Sequence, residues 1–452
     1  MIIHIHTEKG MLKHRASFFK PLTILLLFTA AIFLLASCTR SVQTGTRIRG
    51  SSGNDGGHIA FTGLDGNMYI LNPLEGEAHQ LTHDASPGDK SRTEYRHPSW
   101  SFDGESLAFV RYRADNSGNV ESTLFISDVQ GNDKTTLLTS EEIVPFYLYW
   151  SPDSRNISFL SSLNSAGELL LQILPSDGGE PAFVDMGQPF YWSWSADSSS
   201  IITHTGGSTM EKPEKAAIKL FDLSEDIYSS TTLNYFPAFF QAPQYSPDGS
   251  QLLVAAEMLQ RHSTLVIARN NGEPEDLLVD WQGPLTFSWS PDGKRIAYVA
   301  GRPFPIGGSI GTLNILSMND GGERSGYQVK SRNILAFFWS PDSTKIALFE
   351  PQIIASDGSQ ETFVLAVSVL NVADGSVKPL TKIRPTRAFL GQVIPYYDQY
   401  QRSHTIWSPD SSHIVVNGST DENLPGIYVV STEGRGGSSF IAHGVYPFWS
   451  WQ

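Results

Sequence analysis

The sequence predicts an all-β fold built by radial repetition, a β-propeller of four-stranded antiparallel blades. Three observations point there. The tetrapeptide Trp-Ser-x-Asp recurs at Trp100, Trp150, Trp194, Trp289, Trp339 and Trp407, with Tyr245 opening a seventh copy and Trp449-Ser450 a truncated eighth. A spacing of about 45–50 residues is the period of stacked repeats. Each copy is followed by short β-branched and aromatic runs bounded by turn residues, which read as strands. The two chain ends supply complementary parts of one further unit.

The elements follow in chain order. Residues 1–37 read as an export signal. Lys13, Arg15 and Lys20 precede an apolar run from Ile24 to Leu35, and small residues follow. The run is short for a stable membrane span. Leu35-Ala-Ser-Cys38 resembles the lipobox of bacterial lipoproteins. That resemblance implies cleavage before Cys38, its acylation, and anchoring to the outer side of a bacterial membrane in the cell envelope. Met11 is an alternative start to Met1. Residues 38–57 are rich in Ser, Thr, Gly and Arg without apolar periodicity, and read as a flexible tether. Residues 58–452 form the propeller.

Within a repeat, a first strand ends in the aromatic residue and Ser-Pro-Asp turns the chain. Pro presets φ, Asp bonds the neighbouring backbone, and Gly249 or Gly293 adopts the left-handed conformation. Ser154, Ser343 and Ser411 at that place are expected to cost a little stability. The aromatic residue is expected to wedge between sheets. The turn role also accounts for Asp103, Asp153, Asp197, Asp248, Asp292, Asp342 and Asp410 better than a cation-binding ring does. His58–Thr62, Met68–Leu71 and Ala78–Thr82 match second, third and fourth strands, while Val445–Trp449 matches a first strand. The termini should therefore share one blade, which removes open sheet edges. Seven whole units plus the shared one predict eight blades; the alternative is seven.

The Trp-Ser-Pro-Asp-Gly repeat followed by an Ile-Ala-Tyr-like strand, as at Trp289–Ala300, resembles the TolB-type propeller repeat. The resemblance covers residues 58–451. It implies the propeller fold and says little about function, because such repeats also occur in prolyl oligopeptidase-family propellers and in uncharacterised lipoproteins. Gly307–Gly311 matches Gly-x-Ser-x-Gly, but Ser309 is expected in a blade loop, and no residues remain for a hydrolase domain.

The Ser-Pro-Asp turns define one face of the ring. Longer insertions fall on the other, and function tends to sit on such loops. The longest, 384–404, carries Arg387, Tyr396, Tyr397, Tyr400 and Arg402, residue types favoured at binding hot spots. Tyr95 and Arg96 lie in another. His83, His97, His404 and His443 should fall near the same face, where converging imidazoles could hold a metal. Oligogalacturonate lyases, with related repeats, imply that possibility. Net charge is -14, which argues against nucleic-acid partners. The expectation is a monomeric scaffold without cofactor, binding a protein, a peptide or an envelope glycan. The alternatives are a metal-assisted polysaccharide lyase or hydrolase at the channel mouth and a small-ligand sensing module.

Overall fold

The computed structural model describes residues 56–452, apart from 87–91, 163–167, 207–215, 226, 240, 259–261, 306–307, 319–324, 331–332, 356–360 and 434–436. The expected signal segment, Cys38 and nearly all of the tether lie outside these residues.

Seven antiparallel blades stand in a ring, six as separate four-stranded sheets and the seventh as the closing part of a larger sheet. Blade 1 runs from the strand Arg92–Trp100 to Thr135–Ser140, blade 2 from Pro145–Trp150 to Ala182–Gly187, and blade 3 from Phe190–Trp194 to Ser229–Thr232. Blade 4 runs from Gln244–Tyr245 to Pro274–Trp281, blade 5 from Leu285–Trp289 to Ser325–Gln328, and blade 6 from Ala336–Trp339 to Val377–Ile383. The closing blade joins both ends of the chain. The last strand, Ser438–Trp449, pairs with Ile59–Gly63 through Ile59↔Trp449 and Gly63↔Gly444. Met68–Asn72 and Glu77–Gln80 complete it. The closure expected from the two termini is therefore present.

The main expectation of eight blades is corrected to its alternative. The unit opened by Trp407 has no four-stranded sheet of its own. Its first segment contributes isolated bridges, Trp407↔Ile414 and Thr405↔Trp449, in place of a strand. Its strands His413–Ser419 and Pro425–Ser431 extend the closing sheet to six strands through the first half of Ser438–Trp449. One strand serves two neighbours because no loop separates His443, paired with Gly426, from Gly444, paired with Gly63.

Every repeat aromatic, from Trp100 to Trp449, is buried. Several also bond across blades. Trp100 Nε1 donates to Phe448 O at 3.2 Å, Trp150 Nε1 to Ser99 O at 2.9 Å, Trp194 Nε1 to Ser158 Oγ at 3.0 Å and Trp407 Nε1 to Phe338 O at 3.0 Å. In these four units the wedge is thus also a donor that ties the unit to the one before it, whereas the buried indole N–H groups of Trp289, Trp339 and Trp449 find no acceptor among the described residues.

The turn chemistry centres on serine. In all seven copies the Ser hydroxyl donates to the Asp carboxylate at 2.5–2.6 Å. It also accepts the backbone N–H five residues on at 2.9 Å. The Asp carboxylate accepts the N–H two residues on at 3.0–3.2 Å. Each aspartate is thus held as a turn cap. The left-handed serines carry a small steric cost, and an interblade bond offsets it. Ser154, Ser343 and Ser411 lie at φ 59°, 60° and 58°. Their hydroxyls accept the N–H of Asp103, Asp292 and Asp342 in the preceding unit at 3.1, 3.0 and 3.2 Å. A glycine there avoids strain but cannot make that bond.

Candidate functional site: a plugged central channel

The insertion 384–404 is a plug. After Arg387 the chain forms a π-helical turn, Phe389–Val393, a 3-10 turn, Ile394–Tyr396, and the helix α1, Tyr397–Ser403. Phe389, Val393, Tyr397, Tyr400 and His404 recur at helical spacing, and all are buried. Helix α1 packs on the first strands of blades 2, 3, 5 and 6. Side chains of the helix and of His404 just after it reach the other three, so it stands on the ring axis.

The innermost strand of a propeller blade has a free inner edge of N–H and C=O groups, and the plug answers them with side chains. Gln399 behaves as a strand partner on blade 3: its Oε1 accepts Trp192 N–H at 3.1 Å and its Nε2 donates to Trp192 O at 2.9 Å. Asp398 accepts Ala242 N–H at 2.9 Å, ahead of blade 4. Tyr397 OH bonds Thr286 Oγ1 of blade 5 at 2.6 Å, and its ring meets Phe337 of blade 6. Tyr147 OH of blade 2 bonds Ser403 Oγ at 2.5 Å. Arg402 Nη2 donates to Tyr245 O of blade 4 at 3.2 Å. His404 Nε2 contacts Pro98 O of blade 1 at 3.1 Å, and Tyr400 stacks on Phe448 of the closing blade.

Burial shapes the charge of these groups. Desolvation raises Asp398 to about 6 against the hydrogen bond from Ala242. It lowers His404 to about 3, and lowers His97 to about 3 with help from the charges of Arg96 and His404. Desolvation lowers Arg402 to about 10. His97, Tyr147 and Tyr446 occupy equivalent bulges on three neighbouring inner strands, at φ 58°, 54° and 56°. With Tyr400 and His404 they line a cavity of about 10 Å³, room for one water.

The residues singled out from sequence divide. Arg387 is exposed, and Tyr396 is 40% exposed at the long-loop face beside Tyr191. Tyr397 and Tyr400 are in the core and Arg402 is half-buried, because the loop folds into the channel and not over the blade. Tyr95 is buried against Phe109, with its OH on Asp84 at 2.6 Å, and Arg96 pairs with Glu94 at 3.0 Å; both belong to the first strand of blade 1. The four histidines do not share one environment. His97 and His404 face the cavity, His83 is exposed, and His443 packs on Phe440. Among the described residues no group of three or more His, Cys, Asp or Glu is arranged to hold a metal. Ser309 begins a strand of blade 5 paired with Pro303, not a strand-turn-helix elbow.

No family model matches this chain, and no curated protein matches it. Solved structures do. TolB from Acinetobacter baumannii is 19% identical over 73% of this chain and 78% of its own, with a TM-score of 0.36. The C-terminal WD40 domain of Sif2 is 12% identical over 91% of this chain and 100% of its own, TM-score 0.48. An oligogalacturonate lyase in complex with manganese is 13% identical over 89% and 98%, TM-score 0.48. The chain is a β-propeller, consistent with the TolB type, and these likenesses speak to fold alone.

Proposed function

We propose that this protein is an exported, lipid-anchored scaffold of the cell envelope that binds a protein or peptide on its long-loop face. The observation that carries the reading is the plug. Small-ligand sites occupy clefts of about 300–1,000 Å³, whereas the channel here is filled by the chain's own side chains. Recognition then falls to the outer surface. On the long-loop face the paired strands Lys345–Ala355 and Glu361–Asn371 of blade 6 leave Ile353 66% and Ile354 40% exposed. Tyr396 and Arg387 lie on the same face, a mixture of apolar, aromatic and Arg groups suited to a macromolecular partner. Export and anchoring rest on the basic-apolar-Cys38 pattern. No helix among the described residues is long and apolar enough to cross a membrane.

Crosslinking pull-down from envelopes tests the face. Arg387→Glu with Tyr396→Ser should remove specific partners that the wild type captures, at unchanged melting temperature. An unchanged partner set refutes the assignment. Palmitate labelling of the wild type but not of Cys38→Ala is expected for the anchor; equal labelling refutes it.

A further inference from the structure

We infer that Arg402, at the Ser-Pro-Asp end of the channel, is the receptor group for an oxyanion, either a carboxylate or a phosphate. This goes beyond the partner face proposed above and lies at the opposite mouth. Helix α1 starts near Thr286, close to the long-loop end of a first strand, and Arg402 sits in its last turn, one residue from its other end. The guanidinium touches the carbonyl of Tyr245, the residue that opens the Ser246–Asp248 turn.

The side chain is only half satisfied. Nη2 donates to Tyr245 O, while Nε is enclosed with no acceptor. No carboxylate pairs with it among the described residues, in a chain of net charge -14. Its titratable neighbour is Tyr149, a neutral phenol whose own ionisation is suppressed by burial. The seven turn carboxylates of this face are engaged by their own serines and backbone amides, so none is free to neutralise it. A desolvated cation is ordinarily paired. The guanidinium fork matches planar carboxylates and phosphates better than any other side chain. Residual exposure of Arg402 leaves a small anion a way in. The C-terminal turn of α1 also favours a cation here, but that interaction uses no guanidinium N–H and leaves Nε without an acceptor.

The test is thermal unfolding of the full chain in chloride, acetate or phosphate at matched ionic strength and pH, for wild type, Arg402→Met and Arg402→Lys. The wild type should gain a saturable rise in melting temperature with an oxyanion over chloride, about 3 °C at a hundredfold excess over Kd. Arg402→Met should show none; its melting temperature in chloride reports separately on the lost bond to Tyr245 O. A response to acetate alone assigns a carboxylate, such as a peptide acid; a response to phosphate alone assigns a phosphoryl group. Calorimetric titration of the wild type with each anion keeps the test independent of variant folding. No oxyanion-specific heat or shift in the wild type, or an equal shift in Arg402→Met, overturns the proposal. Neither outcome bears on the Arg387 and Tyr396 face.

Discussion

Gln399→Met tests the plug most directly. Methionine keeps the length of the side chain and most of its packing, but has neither a donor for Trp192 O nor a strong acceptor for Trp192 N–H. Both backbone groups lie on the inner edge of blade 3 in a buried setting, where each unsatisfied group costs about 1–3 kcal/mol. Two such groups give a loss of about 4 kcal/mol. The specific unfolding entropy of globular proteins makes that about 5 °C in Tm for a propeller of this length. Two readings separate possible mechanisms. Chemical denaturation reports the global loss, and hydrogen exchange at Trp192 reports whether α1 lifts away on its own before the ring melts. Gln399→Glu should lose at least as much at neutral pH, since it sets a buried carboxylate against Trp192 O, and should recover part of the loss once protonated, when the carboxyl O–H can donate to that oxygen. If Gln399→Met unfolds within about 1 kcal/mol of wild type and Trp192 stays protected, the helix does not complete the inner edge, and the filled channel has to be abandoned.

Two further predictions concern the scaffold. Ser343→Ala should cost about 1 kcal/mol by equilibrium denaturation, because it removes the hydroxyl that accepts Asp292 N–H and keeps the strained φ of 60°. Ser343→Gly should be near neutral, since relief of strain offsets the same lost bond; an unchanged stability in Ser343→Ala would refute the interblade role, and equal losses for the two would refute the strain. Stability should also fall in mild acid. His97, His404 and His204 are held neutral by burial at about 3, 3 and 4, so below the unfolded value near 6.5 the unfolded chain binds three more protons than the native one. Asp398 acts in the opposite sense: its native value of about 6 makes the native state bind one more proton between that value and the unfolded 3.8. The net is two protons, or about 3 kcal/mol lost per pH unit between roughly pH 6 and 4.5. His404→Gln should flatten this slope and Asp398→Asn should steepen it; a flat profile refutes the neutral burial.

How far the sequence reveals this molecule depends on whether an effect is local. The turn is local, and its residues could be read. The serine stands in all seven copies while proline yields to Phe102 and Ala196, which marks its hydroxyl as the indispensable atom. The shared closing blade was legible because strands missing at one terminus appear at the other. The merging of two units through Ser438–Trp449 was not, since nothing in His443-Gly444 distinguishes a continuous edge from a short loop. The plug lies between these cases. Phe389, Val393, Tyr397, Tyr400 and His404 make a helical stripe that periodicity could have found, although Gly391 and Pro395 interrupt it and push the chain through π and 3-10 turns. Where that stripe docks depends on the width of a ring closed by strands hundreds of residues apart. Only that closure converts Gln399 from a surface amide into a strand partner, and Arg402 from one arginine among many into a half-buried cation with no carboxylate partner among the described residues. The fold is thus written in repeated local chemistry, while the candidate site is written in one non-repeated segment whose meaning comes from the geometry of the whole ring.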